Sequence, residues 1–292
     1  MNRIGWIHRA GGSGLWGDPA NLDLPSDGRG LLLAEGVFET VLVLAGRPQW
    51  LAAHLQRWHH GAELMGLAPP PGLEPVQELL HEAIARSGIS TGALRLNWCR
   101  GSAARGLQPP TPGSDDAERH LWWLQLSATT PCFAPVRVII SPSELRVAGS
   151  VLSRCKSFGY GSALIARRQA VAAGADDALL PSSAGGLCCG TSANLLLHRD
   201  GCWQTPHHSS GCLGGIMRAQ ALERGLAIEA PVETPIDAAA LHQADAALLL
   251  NSLGCRPIVE LEQRHRHGPS AHEAVAMARH LWDQLLEDGP SS

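Results

Sequence analysis

Apolar residues recur along the chain with two different spacings, one typical of strands and one typical of helices. Residues 37–44 are mostly apolar and include three valines, which predicts a strand. From residue 50 to residue 67, apolar side chains recur at intervals of three or four, which predicts an amphipathic helix. The prolines at 69–71 end that helix, since proline cannot continue one. Residues 74–87 repeat the helical spacing and predict a second helix.

The rest of the chain alternates in the same way. We expect further strands at residues 93–99, 120–128, 136–141, 177–181, 192–198 and 246–251, and further helices at residues 161–173, 217–225, 236–243 and 271–287. Residues 106–117 are rich in Pro, Gly and Asp and predict a loop, and residues 129–135 resemble a linker. We therefore predict an α/β or α+β chain with a smaller N-terminal domain of residues 1–130 and a larger C-terminal domain of residues 131–292.

The composition excludes several classes of protein. The 292 residues are 45% hydrophobic and 17% charged, so a sizeable core can form. A formal net charge of −4 without a long basic stretch argues against nucleic acid as a partner. No apolar run is long enough for a transmembrane helix and no signal peptide is visible, so we expect a cytoplasmic protein without membrane association. The eight cysteines lack zinc-type spacing, so we expect reduced thiols and no metal site.

The most informative count concerns the basic residues. Of 23 lysines and arginines, only Lys156 is a lysine, and the single tyrosine, Tyr160, follows four residues later. A deprotonated lysine amine forms Schiff bases with carbonyl cofactors, whereas the guanidinium of arginine stays protonated. Any such chemistry in this protein must therefore occur at Lys156. A lone lysine in a loop is otherwise an ordinary surface charge, and codon bias alone explains the scarcity of lysine.

A series of short motifs surrounds this lysine. They are G-V-F-E-T at 36–40, H-L-Q-R at 54–57, G-A-D-D-A-L at 174–179, G-T-S-A-N at 190–194, T-P at 205–206 and L-G-G-I-M-R at 213–218. In this order, the set resembles the class IV pyridoxal-phosphate enzymes, which include branched-chain and D-amino-acid aminotransferases and 4-amino-4-deoxychorismate lyases. The resemblance implies a small N-terminal α/β domain, a larger C-terminal domain with a β-barrel-like core, pyridoxal 5'-phosphate as cofactor in the cleft between them, and a homodimer.

The resemblance also implies roles for individual residues. Lys156 matches the lysine that binds the cofactor, and Arg57 matches the arginine that contacts its phosphate. Ile216 and Met217 match a pair whose backbone N–H groups hold the phosphate, which suits the start of a helix because free N–H groups and the helix dipole favour an anion there. The alternative for Arg57 is an ordinary exposed arginine on a helix.

Five further positions are candidates for cofactor contacts, substrate positioning or a structural role. Asn251 and Ser252, at the end of a strand, match contacts to phosphate or substrate carboxylate. Tyr160 matches a tyrosine near the phenolic oxygen of the cofactor, with a core aromatic as the alternative. Thr40 is a candidate for proton transfer or substrate positioning. Asn194 matches a family asparagine that we interpret as mainly structural.

One position departs from the family pattern. The family places a glutamate opposite the pyridine nitrogen of the cofactor, and Cys189 stands at that position here. A carboxylate keeps that nitrogen protonated and makes the ring a strong electron sink, which a neutral thiol does less well. An elimination tolerates the thiol better than amino transfer does. The alternatives are a degraded site, or a buried Cys189 whose role passes to another acid.

Two arginines bear on the choice of substrate. The stretch from Arg100 to Pro110 looks like a region of aminodeoxychorismate lyases, with Leu107 in place of a tyrosine. Arg105 and Arg100 are candidate ligands for substrate carboxylates, and the alternative is that both are solvated. We therefore expect a lyase that converts the small molecule aminodeoxychorismate to 4-aminobenzoate and pyruvate for folate synthesis. The alternatives are a class IV aminotransferase for D- or branched-chain amino acids and a catalytically inactive, cofactor-binding relative.

Overall fold

A computed structural model describes residues 2–8, 14–102, 106–108, 120–266 and 268–286, and it divides the chain into two compact units. Unit one contains the described residues up to Thr130 together with Cys155–Gly159. Unit two contains Pro131–Arg154 and the described residues from Tyr160 onward. The linker predicted at residues 129–135 thus spans the first division between the units, but the segment of Lys156 associates with unit one rather than with the larger C-terminal part.

Unit one is an antiparallel six-stranded sheet with helices. Its strands are β1 (Arg3–Ile7), β2 (Leu15–Gly17), β3 (Gly36–Leu44), β4 (Arg47–Pro48), β5 (Gly92–Arg100) and β6 (His120–Ala128), in the order β2-β1-β6-β5-β3-β4. Its helices are α1 (Arg29–Leu32), α2 (Leu51–Leu64) and α3 (Leu73–Ser87). The helices at 50–67 and 74–87 and the strand at 37–44 were therefore predicted within a few residues of where they lie.

The two faces of this sheet have different characters. Alternate residues of β3 and β5, such as Val37, Val41, Leu94 and Leu96, are fully buried and form one core with Trp58 of α2 and with residues of α3. The residues between them in sequence point to the opposite face, because side chains alternate along a strand. That opposite face carries polar residues of β3 and β5, among them Thr40, Arg95 and Asn97.

Unit two is built around a closed barrel. Its elements are α4 (Val151–Arg154), α5 (Gly161–Ala172), α6 (Ile216–Glu223), α7 (Ala238–Gln243), α8 (Ala271–Leu286), β7 (Val136–Ile140), β8 (Asp177–Pro181), β9 (Leu187–Gly190), β10 (Asn194–Arg199), β11 (Cys202–Thr205), β12 (Ala227–Glu229), β13 (Ala246–Asn251), β14 (Gly254–Leu261) and β15 (Arg264–His265). Six of the strands form a ring in the order β10-β13-β14-β7-β8-β9, which closes where Asn194 pairs with Cys189.

The predicted α/β class and the β-barrel-like core of the C-terminal part are confirmed. Several strands were missed, among them β1, β9 and β14. Strand β9 follows a glycine pair and spans four residues, and β14 contains Pro257, so neither shows a clear alternation. Among the described residues, no helix is both long and apolar enough to cross a membrane. All eight cysteines lie in the described part of the chain and are free thiols.

Candidate active site

Main-chain hydrogen bonds fix the position of Lys156 in unit one. The segment Cys155–Gly159 runs along the free edge of β3, where the Phe38 N–H donates to the Lys156 carbonyl at 2.9 Å and the Phe158 N–H donates to the Gly36 carbonyl at 3.0 Å. The Lys156 Nζ atom lies 4.5 Å from the centre of the Phe38 ring. The single lysine is therefore held over a strand that is more than one hundred residues away in sequence.

Gly36, the first residue of the G-V-F-E-T motif, makes this pairing possible. A Cβ atom added at Gly36 would lie 2.5 Å from a ring carbon of Phe158 and 2.5 Å from the Cβ atom of Cys99. Such contacts are too short for real atoms, so any larger residue would push the lysine segment away from β3. The glycine is thus required by close packing.

The polar face beside Lys156 carries an arginine, Arg95, that the sequence motifs did not indicate. Arg95 of β5 pairs in register with Thr40 of β3, and its Cζ atom lies 3.7 Å from the centre of the Phe38 ring. The Arg95 Nε atom donates to Asn97 Oδ1 at 2.8 Å. Because Lys156 contacts the same ring, the amine and the guanidinium lie around one aromatic side chain. The alternation of buried Leu94 and Leu96 was the available signal, since it turns Arg95 to the polar face.

A buried acid occupies the opposite, apolar face. The Glu39 carboxylate is fully buried and accepts three hydrogen bonds, from Arg57 Nε at 2.8 Å, from Arg57 Nη2 at 2.7 Å and from the His54 ring at 2.7 Å. Arg57 and His54 both lie on α2, at three-residue spacing, and therefore share one side of that helix. The two-point contact fixes the plane of the Arg57 guanidinium.

Burial and the neighbouring charges together set the ionisation states of Glu39 and His54. Burial opposes ionisation of Glu39, but the charge of Arg57 and the hydrogen bond to His54 outweigh it, so the pKa of Glu39 falls to about 2. Burial lowers the pKa of His54, against the effect of Glu39, and the charges of Arg57 and Lys156 lower it further. His54 is therefore neutral near pH 7, and the Glu39 charge is balanced by Arg57.

Arg100 lies in a different environment from the one expected for a substrate ligand. Its side chain is 5% exposed, its Nε atom donates to Glu35 at 2.9 Å, and its Nη2 atom donates to the Gly66 carbonyl at 2.7 Å. Arg29, also buried, contacts the same Glu35 carboxylate. These contacts give Arg100 a structural role in unit one. Arg105, the other arginine candidate, lies outside the described residues.

In unit two, Asn194 positions the start of α6, which carries Ile216 and Met217 in its first turn. The Asn194 Nδ2 atom donates to the Leu213 carbonyl at 2.9 Å. A Cβ atom added at Gly215 would lie 2.0 Å from Asn194 Oδ1, so that position requires glycine. The first N–H groups of any helix lack partners within the helix and can bind an anion. The structural role expected for Asn194 thus has a concrete basis in this loop.

Three further candidates also lie in unit two. Asn251 ends β13, where its Oδ1 atom accepts from the Leu253 N–H at 2.8 Å across a tight turn that contains Ser252. Asn251 also lines a cavity of about 160 Å³. Tyr160 is half-buried at the start of α5.

Cys189 lies at the closure of the barrel. Its side chain is 8% exposed and packs in a cluster with Cys188, Cys212 and small residues of α5. A hydrogen bond to Cys189, together with burial, raises the pKa of the Cys188 thiol to about 12, so Cys188 is neutral at pH 7. Unit one therefore gathers Lys156, Thr40 and Arg57, whereas Cys189 and the other cofactor candidates belong to unit two.

Comparison with known proteins shows the family to which the chain belongs. The family model of class IV amino-transferases matches residues 36–261, so the chain belongs to that family. It is 26% identical to the branched-chain-amino-acid aminotransferase of Pseudomonas aeruginosa over 254 residues, which cover 80% of this chain and 80% of that enzyme.

Two further comparisons concern lyases. A segment of 81 residues is 42% identical to a bifunctional aminodeoxychorismate lyase and D-amino acid transaminase of Mycobacterium tuberculosis, and it covers 27% of this chain and 28% of that enzyme. A solved structure from Legionella pneumophila, of a protein suggested to be a 4-amino-4-deoxychorismate lyase, has a TM-score of 0.78 and 27% identity, and covers 91% of this chain and 97% of that one. The chain is thus similar to both of these proteins.

Enzymes of this family depend on pyridoxal phosphate, and the residues of unit one fit that cofactor. An aldehyde requires an amine, and a phosphate requires a cation whose direction is fixed. Lys156 supplies the amine, and Arg57 supplies a guanidinium oriented by Glu39. Lys156 contacts Phe38 and Arg57 contacts Glu39, so the two groups lie beside neighbouring residues of β3.

We predict that Glu39→Gln destabilises the protein by about 3–5 kcal/mol at pH 7, because it leaves Arg57 without its buried charge partner. The contribution of Glu39 is fully present above the ordinary carboxyl pKa of 4.5 and is lost as the pH falls towards about 2. The difference from the wild type should therefore shrink over that range. Urea unfolding at several pH values measures it.

Glu82→Gln is the matched control for this experiment. Glu82 forms an exposed pair with Arg86 one helical turn away, so its loss should cost less than about 1 kcal/mol. Equal destabilisation by the two variants would contradict the role given to Glu39.

Proposed function

We propose that the protein is a pyridoxal-phosphate-dependent 4-amino-4-deoxychorismate lyase, which releases pyruvate and yields 4-aminobenzoate for folate synthesis. The observation that carries this choice is Cys189, a buried side chain at the position where the family pattern has a glutamate. A thiol does not keep the pyridine nitrogen protonated as a carboxylate does. Elimination expels its leaving group with less charge spread into the ring, so it suits this position better than amino transfer.

In the proposed reaction, Lys156 is the group that moves the proton. When bound, pyridoxal phosphate stabilises the negative charge that remains after a proton is lost beside the substrate amine. The Lys156 amine removes that proton from the amine-bearing ring carbon. The C–O bond on the next carbon then breaks, and aromatisation of the ring drives this step. The leaving enolpyruvate takes up a proton, which balances the one removed by Lys156, and becomes pyruvate. Thr40, on the same sheet face as Arg95, positions the substrate or assists the proton transfer.

The remaining candidates hold the cofactor in this proposal. Arg57 binds the phosphate, and Glu39 fixes the direction of its guanidinium. The backbone N–H groups of Ile216 and Met217 add contacts of the kind that helix N-termini make with anions. Further contacts come from Tyr160, Asn251 and Ser252.

Arg95 is proposed as a ligand for a substrate carboxylate. Aminodeoxychorismate carries two carboxylates, and a guanidinium recognises a carboxylate through paired hydrogen bonds. Arg95 is half-buried on the polar face, next to the ring that Lys156 contacts. This geometry favours Arg95 over Arg100, which is engaged by Glu35.

The proposed enzyme acts as a cytoplasmic homodimer on a small molecule. Unit two exposes a group of large apolar side chains on and near α4 and α5, which supports association with a second copy. They are Leu145, Val147, Val151, Leu152, Leu164 and Ile165.

An aminotransferase for branched-chain or D-amino acids is the second candidate. It is favoured by the relatives that carry such names and that match most of the chain, among them the Pseudomonas aeruginosa enzyme. The M. tuberculosis relative is named for both activities, so the same framework is associated with both reactions.

We predict that the purified protein releases pyruvate from aminodeoxychorismate and that Lys156→Arg abolishes this reaction. Arginine keeps the positive charge but forms no Schiff base. Borohydride treatment of the wild type should attach cofactor to the peptide that contains Lys156, since the chain has no other lysine. Mass spectrometry and a coupled pyruvate assay provide the measurements. Amino transfer to 2-oxoglutarate without pyruvate release would favour the second candidate instead.

A second prediction concerns the reaction type. Cys189→Glu should raise the rate of amino transfer to 2-oxoglutarate at least about tenfold, because a carboxylate strengthens the electron sink. Cys189→Ser, a neutral side chain of similar size, is the control and should leave the ratio of the two activities unchanged. If the folded Cys189→Glu protein gains no amino-transfer activity, the residue at position 189 does not determine the reaction type.

A third prediction concerns the substrate carboxylate. Arg95→Gln should raise the KM for aminodeoxychorismate at least about tenfold, which corresponds to about 1.4 kcal/mol, with a smaller change in kcat. Arg86→Gln, which removes an exposed arginine of α3, should change neither constant. Steady-state kinetics with both variants tests the assignment, and an unchanged KM for Arg95→Gln contradicts it.

A further inference from the structure

Two adjacent histidines and a glutamate converge on the surface of unit two. Strands β11 and β12 are parallel, and Thr205 pairs in register with Glu229. His207 and His208 follow Thr205 after one proline and so reach the end of β12. The His207 Nε2 atom lies 3.2 Å from Glu229 Oε2, and the His208 Nδ1 atom lies 3.3 Å from the same oxygen. All three atoms lie within 4.8 Å of one another.

These atoms have the chemistry and spacing of a zinc site. Imidazole nitrogen and carboxylate oxygen are common zinc ligands, with bonds of about 2.0–2.2 Å in a tetrahedral arrangement. Two ligand atoms at such bond lengths are about 3.3 Å apart across a tetrahedron. Both distances from Glu229 Oε2 to the ring nitrogens match that value. A cation between these atoms would replace the present contacts without a large movement of the backbone.

Hydrogen bonds from neighbouring groups of the protein fix the orientation of the three ligands. The other Glu229 oxygen, Oε1, accepts hydrogen bonds from the His208 backbone N–H at 2.9 Å and from Arg218. Oε2 is therefore the oxygen presented to both rings. The other ring nitrogen of His207, Nδ1, accepts from the Ser209 backbone N–H at 3.2 Å and lies 2.7 Å from Ser209 Oγ. Zinc at Nε2 therefore requires the ring proton to move to Nδ1, where Ser209 Oγ can accept it. Contacts of this kind hold the ring orientation and carboxylate geometry of metal ligands in proteins.

The cluster is open to solvent on one side. The side chain of His208 is 73% exposed, whereas those of His207 and Glu229 are about one quarter exposed. Arg218 approaches from the protein side, where it also donates to the Pro206 carbonyl at 2.9 Å. An ion can therefore reach the three ligands from solvent and keep water in its fourth position.

We propose that His207, His208 and Glu229 bind one Zn²⁺ ion with three protein ligands and a water molecule. The bound ion ties the single helical turn His208–Ser210 to β12. Through Glu229 and Arg218 it also stiffens the first turn of α6. The proposal is independent of the reaction assigned to the protein. Spacing of cysteines and histidines within one segment does not reveal this site, because its ligands come from two segments: His208 and Glu229 are 21 residues apart.

Zinc titration of the metal-free, full-length protein tests this site. Isothermal titration calorimetry should give one ion per chain for the wild type. His208→Ala and His207→Gln should each weaken binding at least about tenfold, since each removes one of three ligands. His60→Ala is the matched control, because His60 is an exposed histidine 3.6 Å from Glu63 on α2. Its binding should equal that of the wild type.

Cobalt(II) distinguishes this site from the free cysteines. Ligation by nitrogen and oxygen gives weak visible bands, whereas a cysteine ligand adds an intense near-ultraviolet band from charge transfer from sulfur to the metal. The expected spectrum has the weak bands alone, and they disappear in His208→Ala. Three results would overturn the proposal: no zinc binding by the wild type, equal binding by the wild type and His208→Ala, or a dominant thiolate band. Circular dichroism confirms that each variant is folded before titration.

Discussion

The buried Glu39 carboxylate is the constraint on which the candidate site depends. A charge without solvent is costly unless it is paired and hydrogen-bonded, and Glu39 is fully buried between the sheet of unit one and α2. The core can therefore close only when Arg57 and His54 are turned toward β3. Their side chains cannot take other rotamers without leaving the charge unmatched. The direction of the Arg57 guanidinium is thus a consequence of how the unit folds, and the energy of folding keeps it fixed before any anion arrives.

Strand β3 connects this constraint to the single lysine. Its odd-numbered residues face the apolar core, with Glu39 among them, and Phe38 and Thr40 face the polar side. The segment of Lys156 adds to the free edge of the same strand through main-chain hydrogen bonds. One strand therefore holds the buried acid on one face and the lysine on the other. The rigidity of a paired strand sets the position of each group relative to the other, as a precise site requires.

Periodicity predicted the regular elements well, because burial of one helix face or one strand face leaves a repeat in the sequence. Helices α2 and α3 and strand β3 illustrate this. Strands β9 and β14 did not show such a repeat, since one is short and follows glycines and the other contains Pro257. The attachment of residues 155–159 to β3 also cannot be recognised in the local sequence, because it consists of main-chain hydrogen bonds with a strand that is distant in sequence. Long-range pairing of this kind depends on the complete fold.

The candidate residues were predicted unevenly for a related reason. Order and spacing of motifs indicated Lys156 and Arg57, which the fold brings to neighbouring residues of β3. The same approach indicated Arg100 and not Arg95, although both are arginines on β5. Their positions differ by five residues, an odd number, so they point to opposite faces of an alternating strand. Glu35 then engages one of them, and the Phe38 ring contacts the other. The partner of each arginine is decided by packing, which the sequence of β5 alone does not contain.

Cys189 bears on whether the departure from the family pattern reflects decay of the site or a change in its chemistry. Its backbone pairs with Asn194 where the barrel closes, and the Asn194 side chain holds the loop that leads into α6. Gly215 still provides the space that this loop needs. These contacts hold the loop and the barrel closure independently of the side chain at position 189, so the backbone frame around Cys189 is complete. Under the proposed function, that frame keeps the cofactor in place while the thiol provides a weaker electron sink than a carboxylate would.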